Sequence, residues 1–209
     1  MFDYNKKFIA LGIIYNEKNF SSLVNRKVYN DNNFPPTKPI KGGLWGSSLY
    51  KDNKYKSAWE EYIYTTLNPS LFDHRLKNKS SVFSIKENSK VLVLNQINDV
   101  YIKFTADRTE SNLSLRTIKV GGNVPKVFEN HLYVDFEDLP NHYDAIYVTQ
   151  NFVNKVDSLL KEFDNLVLNN KSTEKIPSSD LYVSEMFEDW NVDSLLVLNK
   201  DCITILDTI

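Results

Sequence analysis

Residues 38–48, Lys-Pro-Ile-Lys-Gly-Gly-Leu-Trp-Gly-Ser-Ser, constrain this chain more than any other stretch. Two adjacent glycines and a third after Trp45 rule out a helix interior, where each glycine costs about 1 kcal/mol. An ordinary strand is disfavoured too, because glycine weakens the ladder and marks a bulge or a close backbone approach. The pattern predicts a short buried edge at Leu44 and Trp45. It is flanked by backbone at Gly43 and Gly46 that must come close to something, and the hydroxyls of Ser47 and Ser48 point into the same space. Two partners fit that approach: a ligand rich in acceptors, such as a nucleotide, or the chain's own core closing around Trp45.

A chain of 209 residues can bury a real core within one domain, here taken as 1–209 with a helical and loop insertion at 151–180. The formal net charge of −2 argues against a broad nucleic-acid-binding surface but leaves room for a local basic patch. The single cysteine, Cys202, lies in an apolar run, which excludes a disulfide framework and a cysteine zinc site and predicts a buried thiol. The N-terminal residues carry no signal-peptide core, and no apolar run reaches the length of a membrane span. The expectation is a cytoplasmic protein with no membrane association.

Along the chain, Phe8–Ile14 reads as a buried strand and 16–41 as a long loop with one short helix. Ser57-Ala58-Trp59-Glu60 is a capping box, with Ser57 accepting from the Glu60 N–H and the Glu60 carboxylate reaching back to the Ser57 N–H. A helix over 57–67 then places Trp59, Tyr62 and Ile63 on one face, and Asn68-Pro69 stops it. Strands follow at 82–85 and 90–94, joined by a polar turn around Asn88. Ile97, Val100, Tyr101 and Phe104 have helical spacing. The stretch 115–120 is closed by Gly121-Gly122, and 132–134 precedes Asp135, which can cap a brief turn through Leu139. Further strands fall at 143–148 and 193–199, with a closing apolar run at 201–206. Val153, Val156, Leu159, Leu160 and Phe163 mark an amphipathic helix before a polar loop at 169–180. Many short strands without strict strand–helix alternation predict the α+β class.

No phosphate loop, dinucleotide fingerprint, zinc-protease helix or nucleophile elbow is present. His74, His131 and His142 stand apart in polar contexts, without metal-ligand spacing, and read as surface residues. Glu60-Glu61 and Glu188-Asp189 read first as solvated acidic pairs.

Gly42-Gly43-Leu44-Trp45-Gly46-Ser47 ahead of Ala58-Trp59 resembles the second motif of the ADP-ribosyltransferase superfamily, including phage and mobile-element members that act as anti-CRISPR proteins. Tyr143-Asp144-Ala145-Ile146 is similar to a late strand of those domains, and Trp190–Leu195 through Asn199–Ile203 to their closing hairpin. The resemblance implies a split, mostly antiparallel sheet with flanking helices and NAD held as substrate in a cleft. The implied cofactor-binding residues are Gly43, Leu44, Trp45, Gly46, Ser47, Ser48 and Tyr50. Tyr15 joins them at the end of the first strand, where members carry Arg or His. Aromatic rings would sandwich the nicotinamide, with Trp45, Tyr50 and Tyr62 as candidates. A carboxylate near the last strands would stabilise an oxocarbenium-like transition state, and Glu185, Glu188, Asp189 and Asp193 all qualify. The implied function is NAD-dependent modification of a host macromolecule such as a CRISPR effector. The alternative keeps the fold without its chemistry, as a binding protein that occludes a host enzyme.

Overall fold

The computed structural model describes residues 1–23, 39, 41–104, 115–118, 131–134, 136–169, 171–173, 175–187 and 189–209. Among the described residues, nine strands form: β1 (Lys7–Ala10), β2 (Leu44–Ser48), β3 (Ser81–Ile85), β4 (Val91–Leu94), β5 (Leu115–Ile118), β6 (His131–Val134), β7 (Ala145–Val148), β8 (Ser194–Val197) and β9 (Ile203–Thr208). The helices are α1 (Ala58–Thr65), α2 (Asp73–Lys77), α3 (Ile97–Phe104), α4 (Gln150–Leu168) and α5 (Ser178–Phe187). The class is α+β. Seven strands join one sheet in the order β4-β7-β8-β2-β1-β3-β9, while β5 and β6 pair separately. Every pairing in the large sheet is antiparallel except β4 with β7.

The sheet is curled, and its topology requires it. β3 and β4 are successive in sequence yet five strand positions apart, which on a flat sheet is about 24 Å. The six residue steps from Ile85 to Val91 reach at most about 22 Å when fully extended. The link is shortened further by a turn in which the Ser89 N–H donates to the Lys86 carbonyl at 3.0 Å. The polar turn expected around Asn88 is therefore present, but the strands it joins do not pair with each other.

Alternation along the strands sorts side chains to two faces. Inside the curl lie Phe8, Ala10, Leu44, Phe83, Ile85, Ala145, Tyr147, Leu195 and Val197, closed by Phe2 from the N-terminal segment. Phe2 stacks on Phe8 at 6.1 Å and meets Tyr147 edge-on at 5.6 Å. On the outer face, Leu92, Leu94, Ile146, Val148 and Leu196 pack against α3, α4 and α5. Ile9, Leu11 and Val82 pack against α1 and the turn that follows it. The stretch expected as an insertion, 151–180, sends Phe152, Val153, Val156 and Ile176 into buried positions. Cys202 is buried as expected, and burial pushes its thiol up to about 12, leaving it unreactive at neutral pH.

Several boundaries differ from the sequence reading. β1 ends at Ala10, because the Ile13 N–H turns back to the Ala10 carbonyl at 3.2 Å. Residues 178–187, partly assigned to a polar loop, form α5, which buries Val183 and Phe187 one turn apart. The Gly-Trp stretch, read as unlike an ordinary strand, is central strand β2, hydrogen-bonded on both sides to β1 and β8. The short helix expected within 16–41 is the single turn Glu17–Asn19, and 24–38 of that loop lie outside the described residues.

The α1 cap holds in one half and shifts in the other. Ser57 Oγ accepts from the Glu60 N–H at 3.2 Å, while the Glu60 carboxylate accepts from the Lys56 N–H, one residue before the expected partner. Ser57→Ala is expected to cost about 1 kcal/mol in urea unfolding, since a buried helix N–H loses its acceptor. An unchanged midpoint would mean that Glu60 alone fixes the helix start.

Candidate functional site

A cavity of about 280 Å³ opens on the outer face where the two helical packs part. Its floor is laid by alternation in three adjacent strands: Ile9 and Leu11 from β1 and its turn, Trp45 and Ser47 from β2, and Ser194 from β8. α1 supplies Trp59, and α2 supplies Arg75 on the β1 side. The segment between α5 and β8 brings Asp189 and Asn191 on the opposite side. The Trp59 N–H donates to Ser47 Oγ at 3.3 Å, tying the helix start to the floor. Trp45 is fixed from behind by the buried Trp190 ring at 4.8 Å. Arg75 is exposed and enters no ion pair among the described residues. The cavity thus sets a cation and a carboxylate on opposite walls with two indole rings between them.

A second cluster of polar side chains sits at the inner face, where β1 and β8 begin and β2 and β7 end. Asp193 is its centre. One carboxylate oxygen accepts from the Tyr147 hydroxyl at 3.0 Å, from the Lys6 ammonium at 3.1 Å and from the Ser48 hydroxyl. The other accepts from the Ser48 N–H at 3.4 Å, and the Asp193 N–H donates to Gln150 Oε1 at 3.1 Å. Lys6 also bonds the Tyr147 hydroxyl and lies 4.7 Å from the centre of its ring. Burial opposes the charge on Lys6, but the Tyr147 hydroxyl and Asp193 outweigh it, and its pKa rises. Burial and then Asp193 push the Tyr147 phenol up. At neutral pH the cluster therefore holds an ammonium and a neutral phenol, the states in which both serve as donors.

The residues singled out from sequence divide between these places. Trp45, Ser47 and Asp189 meet at the cavity, joined by the backbone of Gly46. Leu44 and Ser48 face the other way, into the inner core and the Asp193 cluster. Asp193 does not line the cavity. Glu185 lies on α5 and Glu188 falls outside the described residues; the Glu185 side chain is likewise not described. Tyr15 packs against the inner core, where burial and then Glu17 raise its phenol. Tyr50 is pushed up to about 12 by burial, by a hydrogen bond to Glu61 and by the charges of Glu61 and Asp193. Tyr62 stacks on Trp59 at 5.6 Å without lining the cavity.

The close approaches read from the glycines are made to the chain itself. Gly43 has φ +67, and a Cβ there would stand 2.6 Å from the Val197 carbonyl. At Gly46 a Cβ would stand 2.7 Å from the Phe83 ring, on the face away from the cavity. Sequence reasoning missed Arg75, Asn191 and Ser194 at the cavity, and Lys6 and Tyr147 in the inner cluster. Lys6 and Tyr147 share a period-2 face with Phe8 and Ala145, a usable signal; the isolated Arg75 carries none.

Among the described residues, no group of histidine, cysteine, aspartate and glutamate side chains could hold a metal ion, and no helix is long and apolar enough to cross a membrane. Comparison with protein-family models, curated proteins and solved structures returned no match.

Proposed function

We propose that the outer-face cavity binds the nicotinamide-ribose half of NAD, and that the chain is an ADP-ribosyltransferase-like enzyme of phage or mobile-element type acting on a host macromolecule. The observation that carries this reading is the gathering of Trp45, Trp59, Ser47, Arg75 and Asp189 around one space of about 280 Å³. That volume lies at the small end of ligand pockets and suits a ring with its sugar rather than a whole dinucleotide. The indole faces favour a flat cationic ring. Arg75 offers its guanidinium fork to a phosphate oxygen. NAD supplies a glycosidic bond to a cationic leaving group, whose cleavage leaves positive charge on the ribose. Asp189, on the β8 wall, is the carboxylate in place to face that charge, a role in which preorganised electrostatics matters most. Ser47 holds the Trp59 end of the cavity in register with its floor.

The binding-protein alternative has its own support. All three glycines of the motif that suggested a nucleotide are spent on intramolecular packing. A thermal-shift titration separates the two readings, because NAD at a hundred times its dissociation constant adds about 2.7 kcal/mol of stability. The expected result is stabilisation of the wild type and of Asp189→Asn, with NAD cleavage by the variant reduced about a hundredfold or more. A wild-type protein that neither gains stability from NAD nor transfers label from it to a host-cell lysate would end the enzyme reading and leave the occluding binding protein.

A further inference from the structure

We propose that the turn between β2 and α1 is a docking surface for single-stranded nucleic acid. Residues 51–56 read Lys-Asp-Asn-Lys-Tyr-Lys, and Lys51, Lys54 and Lys56 are all exposed. None enters an ion pair among the described residues. The positive charge is local, since the chain as a whole carries −2. Beside the lysines, the rings of Tyr55 and Tyr64 stack at 5.6 Å and 23°, and Tyr64 is 48% exposed. Lys54 Nζ stands 5.1 Å from the centre of the Tyr55 ring.

The surface is built rather than loose. A bridge between Leu49 and Ser57 closes the turn, and the Tyr50 N–H donates to the Lys56 carbonyl at 2.8 Å. The Lys56 N–H is held in turn by the Glu60 carboxylate on α1. The lysines and the stacked rings are therefore carried on the same rigid helix start that delivers Trp59 to the cavity.

Single-stranded nucleic acid matches both parts of this surface. Its phosphates suit ammonium groups, and its unstacked bases suit exposed aromatic faces. A duplex hides its base faces, and an acidic peptide offers charge without rings to stack, so exposed aromatics favour the single strand. This inference stands apart from the NAD reading, because binding is measured without NAD.

The test is fluorescence anisotropy of the intact protein with a labelled oligothymidylate, a duplex of equal length and a poly-glutamate peptide. The oligothymidylate is expected to bind most tightly, with a log–log salt slope of about −2 for three lysines. Changing Lys51, Lys54 and Lys56 together to Gln is expected to flatten that slope and weaken binding about tenfold or more. Tyr64→Ala is expected to weaken binding about fivefold or more, with Tyr64→Phe restoring it. The three lysines are exposed, so the triple Gln variant is expected to keep its melting temperature. Tyr64→Ala also loses the Tyr55 stack, so its binding is compared at a temperature where both proteins are fully folded. Absence of binding at low salt, equal or tighter binding of the peptide or the duplex, or full retention of binding by the triple Gln variant would overturn the proposal.

Discussion

Asp193→Ala is expected to destabilise the protein by about 3–5 kcal/mol, the range found when one partner of a buried ion pair is removed. Asp193 is only 6% exposed and takes donors from two strands, β2 and β7, and from the segment before β1. Its removal leaves the Tyr147 hydroxyl and both donors of Ser48 without their carboxylate acceptor, and leaves the half-buried Lys6 ammonium with only the Tyr147 hydroxyl and solvent. For a chain of this size the loss corresponds to a fall in melting temperature of about 6–20 °C. The pair as a whole is a weaker contributor than either truncation suggests. Lys6→Met combined with Asp193→Leu should therefore recover a large part of the loss. Asp189→Asn, at an exposed position of the cavity and nearly isosteric, should cost much less than Asp193→Ala. Urea unfolding of the three variants checks the series. An Asp193→Ala protein within 1 kcal/mol of wild type would mean that water, not the carboxylate, satisfies these donors. The linkage to pH has a definite sign. Lys6 has a folded pKa above its unfolded value, so the ion pair's contribution is complete below about pH 10 and is lost as pH rises through the folded value.

Strand content was legible wherever alternation was undisturbed. Ala145–Val148 forms where β-branched and aromatic residues cluster, and Ser194–Val197 where a short apolar run is bounded by polar residues. The Ser57 cap was legible because it is a local hydrogen bond, one that depends only on residues three apart. What could not be read was anything set by distant partners. β2 looked unlike a strand because Gly46 is unfavourable in isolation; its cost is offset by Phe8 and Phe83, which are far away in sequence and need the space. α5 was hidden because Ser178, Ser179 and Ser184 broke the apolar pattern, although Ser184 Oγ simply donates back to the Asp180 carbonyl at 2.9 Å. Among four candidate carboxylates, sequence had no means of separating Asp189 from Asp193. The alternation starting at Ser194 turns Asp193 to the inner face, while the turn after α5 leaves Asp189 on the outer one. Arg75 reaches the cavity only because α2 packs across the turn after β1, a contact with no local signature.

Gly46→Val is the second substitution with a large expected effect, and it bears on what the Gly-Leu-Trp-Gly pattern is for. A ligand-facing glycine would lose binding before stability. Here a Cβ would stand 2.7 and 2.9 Å from two atoms of the Phe83 ring and 3.3 Å from Phe8 Cβ. Both phenylalanines are fully buried, and their rings lie 6.0 Å apart, so neither can swing away into solvent. Overpacking of this kind costs about 1–3 kcal/mol and occasionally more. Valine, which adds two methyls beyond the Cβ, belongs at the upper end despite its better strand propensity. Stability should therefore fall by about 3 kcal/mol, and any loss of NAD binding should follow the folded fraction. Combining Gly46→Ala with Phe83→Leu tests the steric cause directly. The smaller side chain vacates the position of the Phe83 ring tip, so the pair should cost less than the sum of its single changes, a coupling that only neighbouring residues show. If Gly46→Val instead kept its urea midpoint and lost NAD binding alone, the glycine would serve the cavity on the other face of the strand, and its packing against Phe83 would be incidental.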